Sequence, residues 1–257
     1  MKFFLPLTIL MTFSAGALQG QEPPKGYIRF IALGDDPPVV LKEINGVRVE
    51  QDAPEGSQPP RVLSVLGSGE PPKSPRLKLR NITGYMEVAN RNQTVKLYKG
   101  EEAKGAEWAN LGKPLVPSTA VLIRDPEDGW KKSKSVLLKD DLRSFPLHTA
   151  RLVNASNQTI AVRIGEDNTK PAFQMKPGEV KIVGASDGFK VGDVPVHFAH
   201  KVRRSWKTIY KTTINVYEKN RVHAYFYSGD RQDMVGKIGF SVLPVVYRNP
   251  DPESRGR

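Results

Sequence analysis

The chain has 257 residues, no cysteine and a formal net charge of +12 at pH 7. The absence of thiols excludes a disulfide framework, a thiolate metal centre and a lipid-modified cysteine. Hydrophobic residues make up 39% of the chain alongside 22 Gly and 21 Pro, a balance that suits a packed core with many turns, and the charge suits acidic polymers or anionic envelope surfaces.

The N-terminus reads as an export signal. Lys2 supplies a basic start, Phe3 to Phe13 form an apolar run, and Ser14-Ala15-Gly16-Ala17 offers a small-residue cleavage region, with cutting after Ala17 or Gly20. The run is shorter than the roughly 20 residues needed to span a bilayer, so residues 1–20 are expected to be a cleaved signal peptide and the mature chain to lack a transmembrane segment. A secreted eukaryotic chain of this size would carry disulfides, so a bacterial periplasmic or extracellular location is expected. That context gives little weight to the Asn-x-Ser/Thr matches at Asn81, Asn92, Asn154 and Asn157, which are also ordinary turn chemistry.

The remaining periodicity is that of strands. Tyr27 to Leu33, Val39 to Ile44, Val47 to Val49, Arg76 to Ile82, Tyr85 to Ala89 and Thr119 to Arg124 are rich in Val, Ile, Thr and aromatics between turn residues. Asn45-Gly46 predicts a tight hairpin, since a type I′ turn needs positive φ at both positions. Gln51 to Pro60 and Gly67 to Pro75 read as extended, exposed loops around a short edge strand within Arg61 to Leu66. Further strands are predicted over Thr149 to Val153, Thr159 to Ile164, Val194 to Val202, Thr212 to Tyr217, Val222 to Tyr227 and Ile238 to Tyr247. No stretch sustains the apolar spacing of a long helix.

An internal likeness runs through this pattern. Val88-Ala-Asn-Arg-Asn-Gln-Thr-Val-Lys-Leu-Tyr-Lys-Gly100 realigns with Val153-Asn-Ala-Ser-Asn-Gln-Thr-Ile-Ala-Val-Arg-Ile-Gly165, each reading as strand, polar turn, strand. Leu115-Val-Pro117-Ser before Thr119 to Ile123 then matches Met175-Lys-Pro177-Gly before Glu179 to Val183. The expected fold is therefore all-β, with one or two antiparallel, Ig-like β-sandwich domains and a duplicated hairpin unit. The charged segment Lys139 to Pro146 marks the junction. It divides the chain into an N-terminal β-domain (21–140), a C-terminal β-sandwich domain (141–248) and a disordered polar tail (249–257).

Catalytic and metal motifs are weak. Gly184-Ala-Ser186-Asp-Gly188 matches the nucleophile elbow of serine hydrolases, yet Phe189-Lys-Val-Gly-Asp-Val-Pro cannot supply the helix that motif requires. A hydrolase using Ser186 is thus the remote alternative. His197 and His200 fall on opposite faces of one strand, so they cannot easily share a metal. Asp125-Pro-Glu-Asp-Gly129 misses the spacing of a calcium loop, and no phosphate-cradling Gly-rich turn opens a helix. No catalytic residue, metal, cofactor or nucleic-acid partner is expected.

One constellation points to binding. Lys201, Arg203, Arg204, Lys207 and Lys211 cluster around Trp206 and Tyr210. Alternation turns Val194, Val196, Phe198, His200 and Val202 inward and His197, Lys201 and Arg203 outward. The same rule turns Val222, Ala224 and Phe226 inward and His223, Tyr225 and Tyr227 outward. Exposed cations mixed with rings can hold an acidic polysaccharide or an envelope protein. The candidate binding residues are Lys201, Arg203, Arg204, Trp206, Lys207, Lys211, Tyr225 and Tyr227.

Asn154 to Ile164 together with Lys176-Pro177-Gly178-Glu179 to Val183 resembles exported bacterial β-sandwich proteins that are themselves uncharacterised. The resemblance implies an exported sandwich and no catalytic residue. It covers under half the chain, and the first repeat copy departs from it with Ser118-Thr119 in place of Gly178-Glu179. The sequence thus leads to a non-catalytic exported envelope protein that binds an envelope partner or acidic polysaccharide, with a purely structural or assembly role as the alternative.

Overall fold

The structure is a computed structural model that describes residues 25–67, 73–102, 106–166, 173–229, 237–246 and 250. The expected signal peptide (1–20) and, apart from Pro250, the expected tail (249–257) lie outside the described residues.

The chain is all-β. Its first strands are β1 (Gly26–Leu33), β2 (Val40–Ile44), β3 (Val47–Gln51), β4 (Leu63–Leu66), β5 (Met86–Val88), β6 (Val95–Lys99), β7 (Glu107–Gly112), β8 (Ser118–Asp125) and β9 (Gly129–Lys139). There follow β10 (Ala150–Ala155), β11 (Ile160–Ile164), β12 (Phe173–Met175), β13 (Val180–Val183), β14 (Gly192–Val202), β15 (Ser205–Val216), β16 (Asn220–Ser228) and β17 (Ile238–Val246).

β1–β9 contribute one sheet of order β5-β1-β8-β9 and another of order β4-β6-β7, and β10–β17 contribute β13-β10-β16-β17 and β12-β11-β14-β15. The two halves share a pairing pattern. β1 is antiparallel to β5 and parallel to β8, as β10 is antiparallel to β13 and parallel to β16. β8 and β16 are in turn antiparallel to β9 and β17.

This order corrects the expected hairpins. β5 pairs with β1 while β6 pairs with β4 and β7, and β10 pairs with β13 and β16 while β11 pairs with β12 and β14. Val88–Gly100 and Val153–Gly165 therefore cross from one sheet to another instead of folding back on themselves. The reason is local. Fully buried Asn154 donates to the carbonyls of Gln158 and Met175 and accepts from the backbone and hydroxyl of Ser156, which turns the chain out of its sheet. By strand order β5 and β6 correspond to β13 and β14, not to β10 and β11.

Alternation explains how the sheets stack. Ile28, Phe30 and Ala32 of β1 join Val65, Leu97 and Trp108 in one core, while Ile31 and Leu33 point the other way and meet Val153, Tyr225 and Tyr227. Ala150, Leu152, Val222, Ala224 and Phe226 form a third core with Val162, Val196 and Phe198. The order of layers is thus β4-β6-β7, then β5-β1-β8-β9, then β13-β10-β16-β17, then β12-β11-β14-β15. The two middle sheets are covered on both faces, which is why β1 and β16 are nearly continuous runs of buried residues.

Other expectations also change. Arg76 to Ile82 is not a strand: it lies along β1 through single bridges at Leu79 and Ile82. β7, β9 and β12 arise from segments too polar or too short to stand out, and β15 begins at Ser205, well before the predicted Thr212. Gln51 to Pro60 is only partly exposed, because Trp130 N–H donates to the Gly56 carbonyl at 2.8 Å. A Cβ on Gly129, whose φ is 63°, would sit 2.5 Å from that same oxygen. The β2–β3 hairpin turns at Asn45-Gly46, both at positive φ, and nine of its ten strand residues are exposed.

Candidate functional site

The outer face of β12-β11-β14-β15 carries a depression of about 460 Å³. Ile160, Val162 and Ile164 turn into the core, so Ala161 and Arg163 of β11 face out, and β14 presents His197, Ala199 and Lys201 in the same way. The registers set these side chains in rows across the strands. Arg163 lies opposite His197, which lies opposite Lys211. The next row is Gln174, Ala161, Ala199 and Thr208, and beyond it Lys201 lies opposite Trp206. Two alanines thus make a low floor between a row of basic groups and an indole wall. Glu166 is the one carboxylate lining it among the described residues.

A β-bulge assembles this face. Lys211 and Trp206 are five residues apart, which in a regular strand would send them to opposite sides. The register of β14 and β15 shifts between Phe198 and Ala199, with Phe198 opposite Tyr210 and Ala199 opposite Thr208. Ile209 is the extra residue, and both Ile209 and Tyr210 pack on the core. The bulge reverses the alternation, so Thr208 and Trp206 join Lys211 on the outer face.

The predicted binding residues separate accordingly. Lys201, Trp206 and Lys211 share the outer face, and Arg203 and Arg204 form the β14–β15 turn, Arg203 at φ 54°. Lys207 lies opposite His200 and so turns toward the other side. Tyr225 and Tyr227 do not belong to this surface, because they are 0% and 1% exposed in a different sheet. Their alternation was read correctly, but the face they occupy is covered by the first half of the chain. Tyr227 also lies over Gly239, its cross-strand partner, where a Cβ would come within 2.2 Å of the ring. Arg163, His197, Gln174 and the alanine floor were not among the predicted ligands. Strand alternation marks Ala161 and Arg163 as outward, but nothing local reveals that β11 pairs with β14.

A second constellation lies buried between the middle sheets. Asp140, 0% exposed, ion-pairs with Arg29 and with Arg221 at 3.0 Å, and accepts from Tyr85 at 2.7 Å and Thr119 at 2.8 Å. Arg221 also donates to the Asp140 and Phe145 carbonyls, and Arg151 donates to that of Lys139. The Phe145 ring lies against both Arg151 and Arg221, 4.1 and 4.5 Å from their guanidinium carbons. Burial lowers Arg151 to about 10, although Asp140 opposes the change. Burial, reinforced by the three guanidiniums, holds His223 neutral well below the usual imidazole range. His223 is therefore also corrected, from the exposed face to the interior. Asp140, Arg221, Arg151 and Arg29 are all 6% exposed or less, and their contacts link the two middle sheets.

Ser186 sits exposed in a short 3-10 turn, Ala185–Asp187, closed by Asp187 accepting from Gly184 N–H and by Gly188 at φ 89°. The chain then enters β14 and not a helix. Among the described residues no three His, Asp or Glu side chains converge as metal ligands, and no helix is long and apolar enough to cross a membrane.

No protein-family model and no curated protein matches the chain. Among solved structures, one similarity is to a disulfide-locked mutant of intermedilysin with human CD59, at 9% identity and a TM-score of 0.23, covering 46% of this chain and 26% of that one. Another is to a structure described as a trapped toxin, at 9% identity and a TM-score of 0.20, covering 46% of this chain and 25% of that one. The chain spans about a quarter of the length of these proteins. Likenesses this low carry no argument about fold or function.

Proposed function

We propose that this is a non-catalytic, exported protein of the cell envelope that holds an acidic polysaccharide on the outer face of β12-β11-β14-β15. Export rests on the apolar run and small-residue region before Gly20. The recurring strand order supports the reading of two related, Ig-like sandwich units that present this face. The observation that carries the binding reading is the row Arg163, His197 and Lys211 beside an alanine floor, with Lys201 and Trp206 across it. The lysines and arginine bind carboxylates through charge-assisted hydrogen bonds, His197 adds a ring donor, and the indole offers an apolar ring face to a sugar. The low floor admits a chain that a flat sheet covered with long side chains would exclude.

The test is titration with polygalacturonate at low and high salt. The Debye length falls from about 10 Å at 0.1 M to about 3 Å at 1 M, so affinity should drop steeply. Replacing Lys201 and Lys211 with Ala should weaken binding about tenfold or more, from the loss of two charge-assisted contacts. Replacing the exposed Lys131 and Lys132 of β9 should have little effect. Equal losses in both double mutants would reduce the face to a solubility feature.

A further inference from the structure

We infer that the β2–β3 arm is a self-association edge: two copies pair β3 against β3, antiparallel about Val49, into one sheet of order β2-β3-β3-β2. No residue of the proposed polysaccharide face takes part. Among the described residues the arm is a sheet of two strands only, and nine of its ten strand residues are exposed. A hairpin of that size is marginally stable by itself, whereas three or more strands with an apolar face hold together independently. Alternation puts Val40, Ile44, Val47 and Val49 on one face and Leu41, Glu43, Arg48 and Glu50 on the other. β3 carries no Pro, and its two charges have opposite signs, so nothing blunts its outer edge against another strand.

Symmetry and charge select this register. A two-fold axis through an antiparallel pair runs perpendicular to the sheet and keeps each face on its own side, so one residue must lie opposite its own copy. Centring β3 on Arg48 or Glu50 sets like charges against each other, as does centring β2 on Lys42 or Glu43, and centring β2 on Leu41 forms no ion pair. Centring β3 on Val49 sets valine against valine and places Arg48 opposite Glu50 of the second copy, with the same pair repeated across the axis. Arg48 then lies between Glu43 of its own hairpin and Glu50 of the second copy, and neither Arg48 nor Glu50 is held in an ion pair among the described residues. The seam is also neutral. β2 and β3 set Lys42 and Arg48 against Glu43 and Glu50 in a chain of net charge +12, so the arms can meet without adding to the repulsion between copies.

The experiment is sedimentation velocity of the protein over a range of concentrations at about 0.15 M salt, where a Debye length of about 8 Å screens the net charge. Pairing of two short strands is small for an interface, so a weak dimer that grows with concentration is expected. Arg48→Glu and Glu50→Arg each turn two attractive contacts into two repulsive ones and should weaken the dimer about tenfold or more. Mixing the two variants in equal amounts should restore association, since each reversed charge then meets its opposite in the other variant. Damage to the hairpin itself would not be cured by mixing, so restoration identifies the contact. A protein that stays monomeric throughout, or a dimer indifferent to both variants, would overturn the inference. Two weakened variants that fail to recover on mixing would overturn it as well.

Discussion

Asp140 is the single carboxylate among Arg29, Arg151 and Arg221 in the described residues, and its Oδ2 also accepts from Tyr85 and Thr119. A buried ion pair adds little over a well-packed apolar pair, but removing one partner strands the other's charge. Asp140→Asn is therefore expected to cost about 3–5 kcal/mol in urea denaturation, far more than loss of an exposed carboxylate such as Asp52. His223 gives the same cluster a pH signature. It faces Arg151 across the parallel pair, lies 4.0 Å from an Asp140 oxygen, meets Phe145 edge-on and stacks on Tyr225. Its folded pKa is depressed by burial and the three guanidiniums, so the unfolded chain takes up the proton first. Stability from this group is then full above the unfolded value of about 6.5 and falls as pH drops, by up to about 1.4 kcal/mol per pH unit. His200, lowered by burial and by Lys207, adds a contribution of the same sign. Denaturation midpoints measured between pH 7.5 and 5.5 should decline for the unaltered protein and decline less for His223→Gln. A flat profile would mean that His223 carries its proton in the folded state.

Two elements are set by a departure from regular alternation or packing. Deleting Ile209 would restore a regular β15, and Trp206 and Thr208 should then swap faces with Lys207. Trp206, 40% exposed in the bulged strand, should become protected from an aqueous fluorescence quencher and lose any response to added polyuronate. Unchanged quenching would show that the bulge does not set the face. The β2–β3 arm departs in the other direction. Val40, Ile44, Val47 and Val49 remain 36–62% exposed, because among the described residues its strands pair only with each other. These cases mark what was legible. The alternation of β14 and β16 and the buried course of His200 follow from period-2 patterning, and the Asn45-Gly46 turn from the positive φ those two residues tolerate. The bulge does not, because Trp206-Lys-Thr-Ile-Tyr-Lys211 carries no Gly or Pro to announce an extra residue. Nor could the covering of Tyr225 and Tyr227 be read, since it depends on which sheet packs behind β16. Asp140 and Phe145 lie in a segment that looks like a charged linker, yet both are fully buried. A single acidic residue gains that role only when three arginines from distant strands converge on it.

At the scale of the whole molecule, the question is whether the two halves fold as one. No sheet contains strands from both β1–β9 and β10–β17 among the described residues, so backbone pairing alone would allow independent units. The face between the middle sheets argues otherwise. Ile31, Leu33, Val121, Ile123 and Leu138 of the first half pack with Val153, Tyr225 and Tyr227 of the second, all at 8% exposure or less. Burial of that apolar area stabilises by roughly 25 cal/mol per Å², and separating the halves would also wet a cluster whose one carboxylate binds Arg29 from one side and Arg221 from the other. Arg80, paired with Asp36, adds its charge beside Tyr227 and opposes the rise that burial imposes on the phenol. The intact chain should therefore unfold in a single calorimetric transition with equal van't Hoff and calorimetric enthalpies. Asp140→Asn weakens this interface without touching any sheet pairing, so it should lower the transition and broaden it or split it in two. Two resolved transitions in the unaltered protein would show that the shared face is too weak to couple the halves. The polysaccharide face would then belong to the second half alone, and residues 141–248 should bind without the rest.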